Sequence, residues 1–180
     1  MGRLIISEFL SLDGVMENPA WTAPYWNDEI AAFKAAEMQQ SDALLQGRVT
    51  YDAMAVAWPN RGDEDPGAER MNSVPKYVVS ATLTEATWNN TAIVRGDVVG
   101  EIRALKQRYS GDILVYGSGE LSRFLLQEGL ADGLNLLVYP VALGTGKRLF
   151  GDQEVPGLTL TESRTFSSGV VLLSYHAAAR

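Results

Sequence analysis

One change of rhythm constrains this fold more than any other feature of the sequence. Over residues 4–116, short apolar runs alternate with segments of helical period. The runs at 4–9, 43–46, 76–80, 92–94 and 112–116 read as buried strands. Asn27 and Asp28 are the capping residues expected for a helix running to Gln40. Gly47-Arg48-Val49-Thr50 turns into a second helix carrying Tyr51 and Met54. Val98, Ile102, Leu105 and Tyr109 recur on one face of a third. Gly117-Ser118-Gly119 opens a fourth, with Leu121, Phe124 and Leu125 inward. Then the helices stop. Residues 134–141, 158–166 and 170–176 are strands, the last two joined at a Ser167-Ser168-Gly169 hairpin turn. Alternation calls for parallel strands with crossover helices, and the closing run calls for antiparallel ones. The expected fold is therefore α/β: a mixed, mostly parallel central sheet with antiparallel C-terminal strands and helices on both faces.

A length of 180 residues fits one domain, 1–180. Residues 15–26 read as an ordered loop anchored by Trp21, Tyr25 and Trp26, and 59–66 as a polar, mobile surface loop. The composition narrows the chemistry. With no cysteine, disulfides, thiolate nucleophiles and cysteine metal sites are excluded. The one histidine, His176, rules out multi-histidine metal sites and most histidine triads. No metal site is expected, and acid–base work falls to carboxylates, tyrosines, lysines or water. A net charge of −7 argues against nucleic-acid binding. No stretch is long and apolar enough to span a bilayer, and the N-terminus lacks a signal-peptide core. No membrane partner is expected, and the expected compartment is the cytoplasm.

Two segments carry the function. In Leu44-Leu45-Gln46-Gly47-Arg48-Val49-Thr50 and in Leu114-Val115-Tyr116-Gly117-Ser118-Gly119, an apolar strand ends in a glycine turn that starts a helix. Glycine permits close backbone approach, and free helix N–H groups favour an anion. Two such turns at strand C-termini suit a dinucleotide diphosphate. Arg48 adds a planar cation for phosphate. Thr50 can cap the helix and donate its hydroxyl, and Ser80 ends a third strand nearby. Each element alone is equally at home as an ordinary turn, cap or surface residue. Two familiar motifs fail: Ser122 stands where the dinucleotide fingerprint has its last glycine, and Val141 and Arg148 break a Walker A reading of Gly144-Thr145-Gly146-Lys147.

At these residues the chain resembles the dihydrofolate reductase-like family. It is most similar to stand-alone proteins grouped with the reductase (C-terminal) domain of bacterial riboflavin-biosynthesis deaminase-reductases. The matching segments are Ser11-Leu12-Asp13-Gly14, Gly47-Arg48-Val49-Thr50-Tyr51-Asp52, Pro75-Lys76-Tyr77-Val78-Val79-Ser80, Gly117-Ser118-Gly119-Glu120-Leu121 and the run from Pro140 to Phe150. They follow the family's order along nearly the whole chain. The resemblance implies an NADPH-dependent oxidoreductase, usually a homodimer in the riboflavin branch. Gly47, Arg48 and Thr50 would hold the diphosphate and the 2′-phosphate side, and Ser80 would lie near the adenosine. Gly117, Ser118, Gly119 and Leu121 would form the second cradle. Ala81 and Glu120 stand where relatives often carry a base, which leaves Arg48 as the main cation and NADH not excluded. Val15 replaces the base that riboflavin enzymes carry after Asp-Gly.

The nicotinamide supplies the hydride, so the protein must supply orientation and a proton. Glu29 is the first catalytic candidate. Asp28-Glu29-Ile30-Ala31-Ala32-Phe33-Lys34 resembles the helix that carries the substrate-binding carboxylate in dihydrofolate reductases. Beside Ala32 and Phe33 its pKa is expected to rise. Its other reading is a first-turn acid that serves the helix dipole. Asp13 is the second candidate, its alternative being a plain Asp-Gly turn. Trp21, Tyr25, Trp26 and Trp58 are expected to wall a flat substrate or to pack the core. The leading expectation is NAD(P)H-dependent reduction of a small pterin-, folate- or pyrimidine-like heterocycle. An aminouracil ribosyl-phosphate reductase and a non-catalytic dinucleotide-binding protein remain the alternatives.

Overall fold

The alternation of apolar and polar positions decides which way each strand faces. In the computed structural model of the chain, described for all residues except 63, 64, 66, 153, 156, 179 and 180, the strands are β1 (Leu4–Leu10), β2 (Ser41–Gly47), β3 (Lys76–Val79) and β4 (Thr91–Val94). They continue as β5 (Asp112–Tyr116), β6 (Gly133–Val138), β7 (Leu158–Thr165) and β8 (Val171–Ala177). Asp63, Glu64 and Pro66 of the expected 59–66 loop lie outside the described residues. The strands form one mixed sheet in the order β4-β3-β2-β5-β1-β6-β8-β7. The first six in that order are parallel, and β8 and β7 are antiparallel.

Helices α1 (Asp28–Gln40), α2 (Arg48–Ala57) and α3 (Ala68–Ser73) cover one face. Helices α4 (Val98–Arg108) and α5 (Gly119–Gln127) cover the other. Period-two alternation sends Leu4, Ile6 and Leu10 toward α4 and α5, and Ile5 toward α2 and α3. Alanine-rich α1 is fixed by Ile30 and Met38, which bury on the α1–α3 face. The aromatic loop at 15–26 contains a 3-10 helix over Pro19–Tyr25. Trp21 and Tyr25 stand edge-on to buried Tyr139, so these rings pack the sheet beside β6. Trp58 lies apart from them, under the Arg61 guanidinium. No helix among the described residues is long and apolar enough to cross a membrane.

Because the first six strands are parallel, their C-terminal ends share one edge. β2 and β5 are neighbours there, although 70 residues separate Gly47 from Gly117. The fold thus places the two glycine turns side by side, at the edge where open α/β sheets bind ligands.

Candidate functional site

The two turns are joined directly. The Gly47 N–H donates to Ser118 Oγ at 2.9 Å. Gly117 and Ser118 both adopt the left-handed conformation, with φ of 58° and 63°. A side chain at Gly117 would come within 3.1 Å of Thr50 Oγ1, so the second turn lies against the start of α2. The helix starts differ in a telling way. Asn27 caps α1 through Ile30 N, and Asp97 caps α4 through Gly100 N. Gly47 before α2, Gly67 before α3 and Ser118 before α5 offer no side-chain cap, and of these the starts of α2 and α5 lie together. Two adjacent helix starts therefore present free N–H donors at one edge, an arrangement suited to a diphosphate.

Gly47, Gly117, Ser118 and Gly119 thus meet, as do Arg48 and Thr50. Two expectations change in detail. Thr50 is the third residue of α2, not its cap, because the helix begins at Arg48. The Leu121 side chain packs into the core beneath α5, so only its backbone lies in the first turn. Arg48 Nε donates to both oxygens of Asp52, at 2.8 and 2.7 Å, which offsets part of its charge at the surface. Ser80 sits just past β3 at the same edge, where Gly47 pairs with Val79. Its Oγ accepts from Thr82 N and Leu83 N and fixes the following turn. Arg95, just past β4, donates to Leu83 O and adds a second exposed cation beside Ser80.

Both proposed acids are engaged elsewhere. The expected rise in the Glu29 pKa is overturned: the carboxylate is exposed and lies below its ordinary range. Bonds from the Ser167 hydroxyl and N–H, both 2.6 Å, hold it there. Glu29 pins the start of α1 to the β7–β8 turn. Asp13 is likewise held ionised, through bonds from the Ser11 hydroxyl and from Leu143 and Gly144 N–H. It ties the first turn to the 141–148 loop. Neither carboxylate has a proton to give at neutral pH.

The buried acids are others. Glu8 lies under α5, with Ser122 Oγ 3.2 Å from its Oε1. Burial pushes its carboxyl well above the ordinary range, and the Ser122 bond offsets only part of that. Glu37 lies on the opposite face, in α1. Its Oε2 accepts from Lys34 Nζ at 2.6 Å and from Ser7 Oγ and Tyr116 OH at 3.0 Å. Its Oε1 accepts from Asn135 Nδ2 at 2.8 Å. Burial alone would raise its pKa. The Lys34 charge and the bonds from Lys34, Asn135 and Ser7 outweigh it, so Glu37 is ionised. Burial, followed by the Glu37 charge, pushes the Tyr116 hydroxyl well up and keeps it a donor. Tyr116, Ser7, Asn135 and Ser174 are successive register partners across β5, β1, β6 and β8. They form a polar row one residue short of the Gly117 turn. Gln46, one residue before Gly47, is buried on the same face with Oε1 unpartnered.

Comparison with known proteins shows the family and the fold. Residues 3–172 match the RibD C-terminal domain family. The chain belongs to that family. The uncharacterized protein YyaP of Bacillus subtilis (strain 168) is 32% identical over 180 residues, spanning 97% of this chain and 94% of its own. A putative riboflavin biosynthesis protein from Shewanella sp. PV-4 superposes with a TM-score of 0.80 at 24% identity, covering 98% and 99% of the two chains. Dihydrofolate reductase from Enterococcus faecalis, solved with NADP(H), gives a TM-score of 0.64 at 15% identity, covering 97% and 96%. A Thermotoga maritima deaminase/reductase gives 0.69 at 16% identity, with 98% of this RibD-type chain covering 57% of the larger protein. The fold is therefore dihydrofolate reductase-like.

Proposed function

We propose that this RibD-type chain is an NAD(P)H-dependent reductase of a small heterocyclic substrate. Membership of a reductase-domain family supports the general activity. The observation that carries the dinucleotide is the pair of uncapped helix starts tied together by the Gly47–Ser118 bond. Gly47, Thr50 and Gly117–Gly119 would hold the diphosphate, and Arg48, Ser80 and Arg95 the adenosine end. When bound, the nicotinamide supplies the hydride. The chain's own part is to orient it at the C-terminal edge of β5 and β1 and to limit water there. Tyr116 and Lys34 line that edge, one residue before the second turn.

Tryptophan-fluorescence titration tests this reading. NADPH or NADH should give a saturable change in the wild type. Arg48→Ala should weaken NADPH several-fold more than NADH, because it removes charge from the 2′-phosphate side. Equal losses would refute that role for Arg48. The same reading includes a homodimer built on β7. This is one of the two edge strands of the sheet, with seven of its eight residues exposed, Leu160 among them. Light scattering should give twice the chain mass, and a monomer at high concentration would overturn the dimer.

A further inference from the structure

Glu8 is too deeply buried to touch a dinucleotide, yet it is tied to the second turn. The residue is 3% exposed and lies under α5. Its register partner on β6 is the apolar Leu136, and from α5 it meets the fully buried Ser122. Ser122 Oγ lies 3.2 Å from Glu8 Oε1 and 3.3 Å from Gly117 O. The Gly117 N–H bonds to the same carboxyl. Both backbone groups of Gly117 therefore lead to one buried acid.

Counting protons fixes the state of that acid. A hydroxyl has one proton to give, and a carbonyl has none. With Glu8 ionised, the Ser122 proton serves either the carboxylate or Gly117 O. With Glu8 protonated, its O–H donates to Ser122 Oγ and the Ser122 O–H donates to Gly117 O. Only the neutral acid satisfies every member of this chain. Burial favours the same form. Of the charged groups of α1, Lys34 favours ionisation and Glu37 opposes it. The turn needs such a brace. Gly117 and Ser118 are both left-handed, and a serine keeps that conformation only where its surroundings over-determine it. From β2, the Gly47 N–H holds Ser118 Oγ. From β1, Glu8 holds Gly117.

We propose that Glu8 is a positioning residue for the dinucleotide: through Ser122 it holds the Gly117 turn in the form that binds, and does so only as the neutral acid. This rests on reading the two turns as a dinucleotide site. A diphosphate at the start of α5 brings negative charge toward Glu8 and favours its protonated form. By linkage, ionising Glu8 weakens the diphosphate in equal measure. Affinity is therefore highest where Glu8 is protonated, and falls as the pH rises through its elevated value.

NADPH titration by tryptophan fluorescence, repeated between about pH 6.5 and about pH 9.5, stays below the range of ordinary tyrosines and lysines. Wild-type affinity should fall about fivefold or more across it. Glu8→Gln mimics the neutral acid, because its amide N–H donates to Ser122, and its affinity should match wild type at the low end and stay level. Glu8→Leu and Ser122→Ala cut the chain, and each should weaken NADPH about fivefold at every pH. A wild-type profile no steeper than that of Glu8→Gln, or a Glu8→Gln affinity as low as that of Glu8→Leu, would overturn the proposal. The free protein separates it from the dinucleotide reading. Gly117 and Ser118 amide shifts should titrate with pH in wild type and not in Glu8→Gln. If they do so and NADPH does not bind, the dinucleotide reading falls while Glu8 still sets the turn. If NADPH binds and neither shifts nor affinity follow Glu8, the positioning role alone falls.

Discussion

Glu37→Ala should cost about 3 kcal/mol of folding stability at neutral pH, because it leaves the Lys34 ammonium partly buried without its counter-charge. Ser7, Tyr116 and Asn135 would lose their shared acceptor at the same time. The effect should depend on pH with a defined sign. Glu37 ionises more readily in the folded chain than in the unfolded one. Its stabilisation is therefore complete above the unfolded value of about 4.3, and is lost as the pH falls through the lower folded value. Urea unfolding should show wild type and variant far apart at neutral pH and converging in acid. A difference below about 1 kcal/mol at neutral pH would show that the cluster is a surface ion pair of the ordinary weak kind.

Gly117→Ala should reduce dinucleotide affinity at least tenfold while the chain still folds. The backbone at this position has a φ of 58°, which costs an L-residue about 1–2 kcal/mol. The added methyl would also meet Thr50 Oγ1 at 3.1 Å, so the start of α2 must give way. That strain lies well within the stability of a typical domain, but it falls where the two helix starts must converge on one ligand. Circular dichroism checks the fold and fluorescence titration the affinity. Folded Gly117→Ala protein with wild-type affinity would show that the second turn does not touch the ligand.

The fold was legible because its evidence is local. Apolar runs such as residues 112–116 and glycine turns such as Gly117-Ser118-Gly119 keep their meaning within a few residues. Short α3 escaped because six residues hold less than two turns of any period. The glycines of the candidate site were legible for the same local reason. Its buried side chains were not. Glu29 and Glu37 share a helix whose alanines leave the buried face undefined, and the acid nearer the family motif proved to be the exposed one. The fourfold satisfaction of Glu37 depends on β1, β5 and β6 coming into register, a long-range fact that spacing along the chain does not carry. Glu8 did leave a signal, as a lone acid between Ile6 and Leu10 on the inward positions of an otherwise apolar strand.

The proposed function requires a dinucleotide to lie across the two turns at the C-terminal edge of the sheet. Backbone amide shifts measured by NMR during NADPH titration test it most directly. The expected perturbations fall on Gly47–Thr50, Ser80 and Gly117–Leu121. Residues 86–92, which line a cavity of about 410 Å³ toward the opposite edge, should stay still. No saturable shifts, or shifts confined to that cavity, would contradict the account.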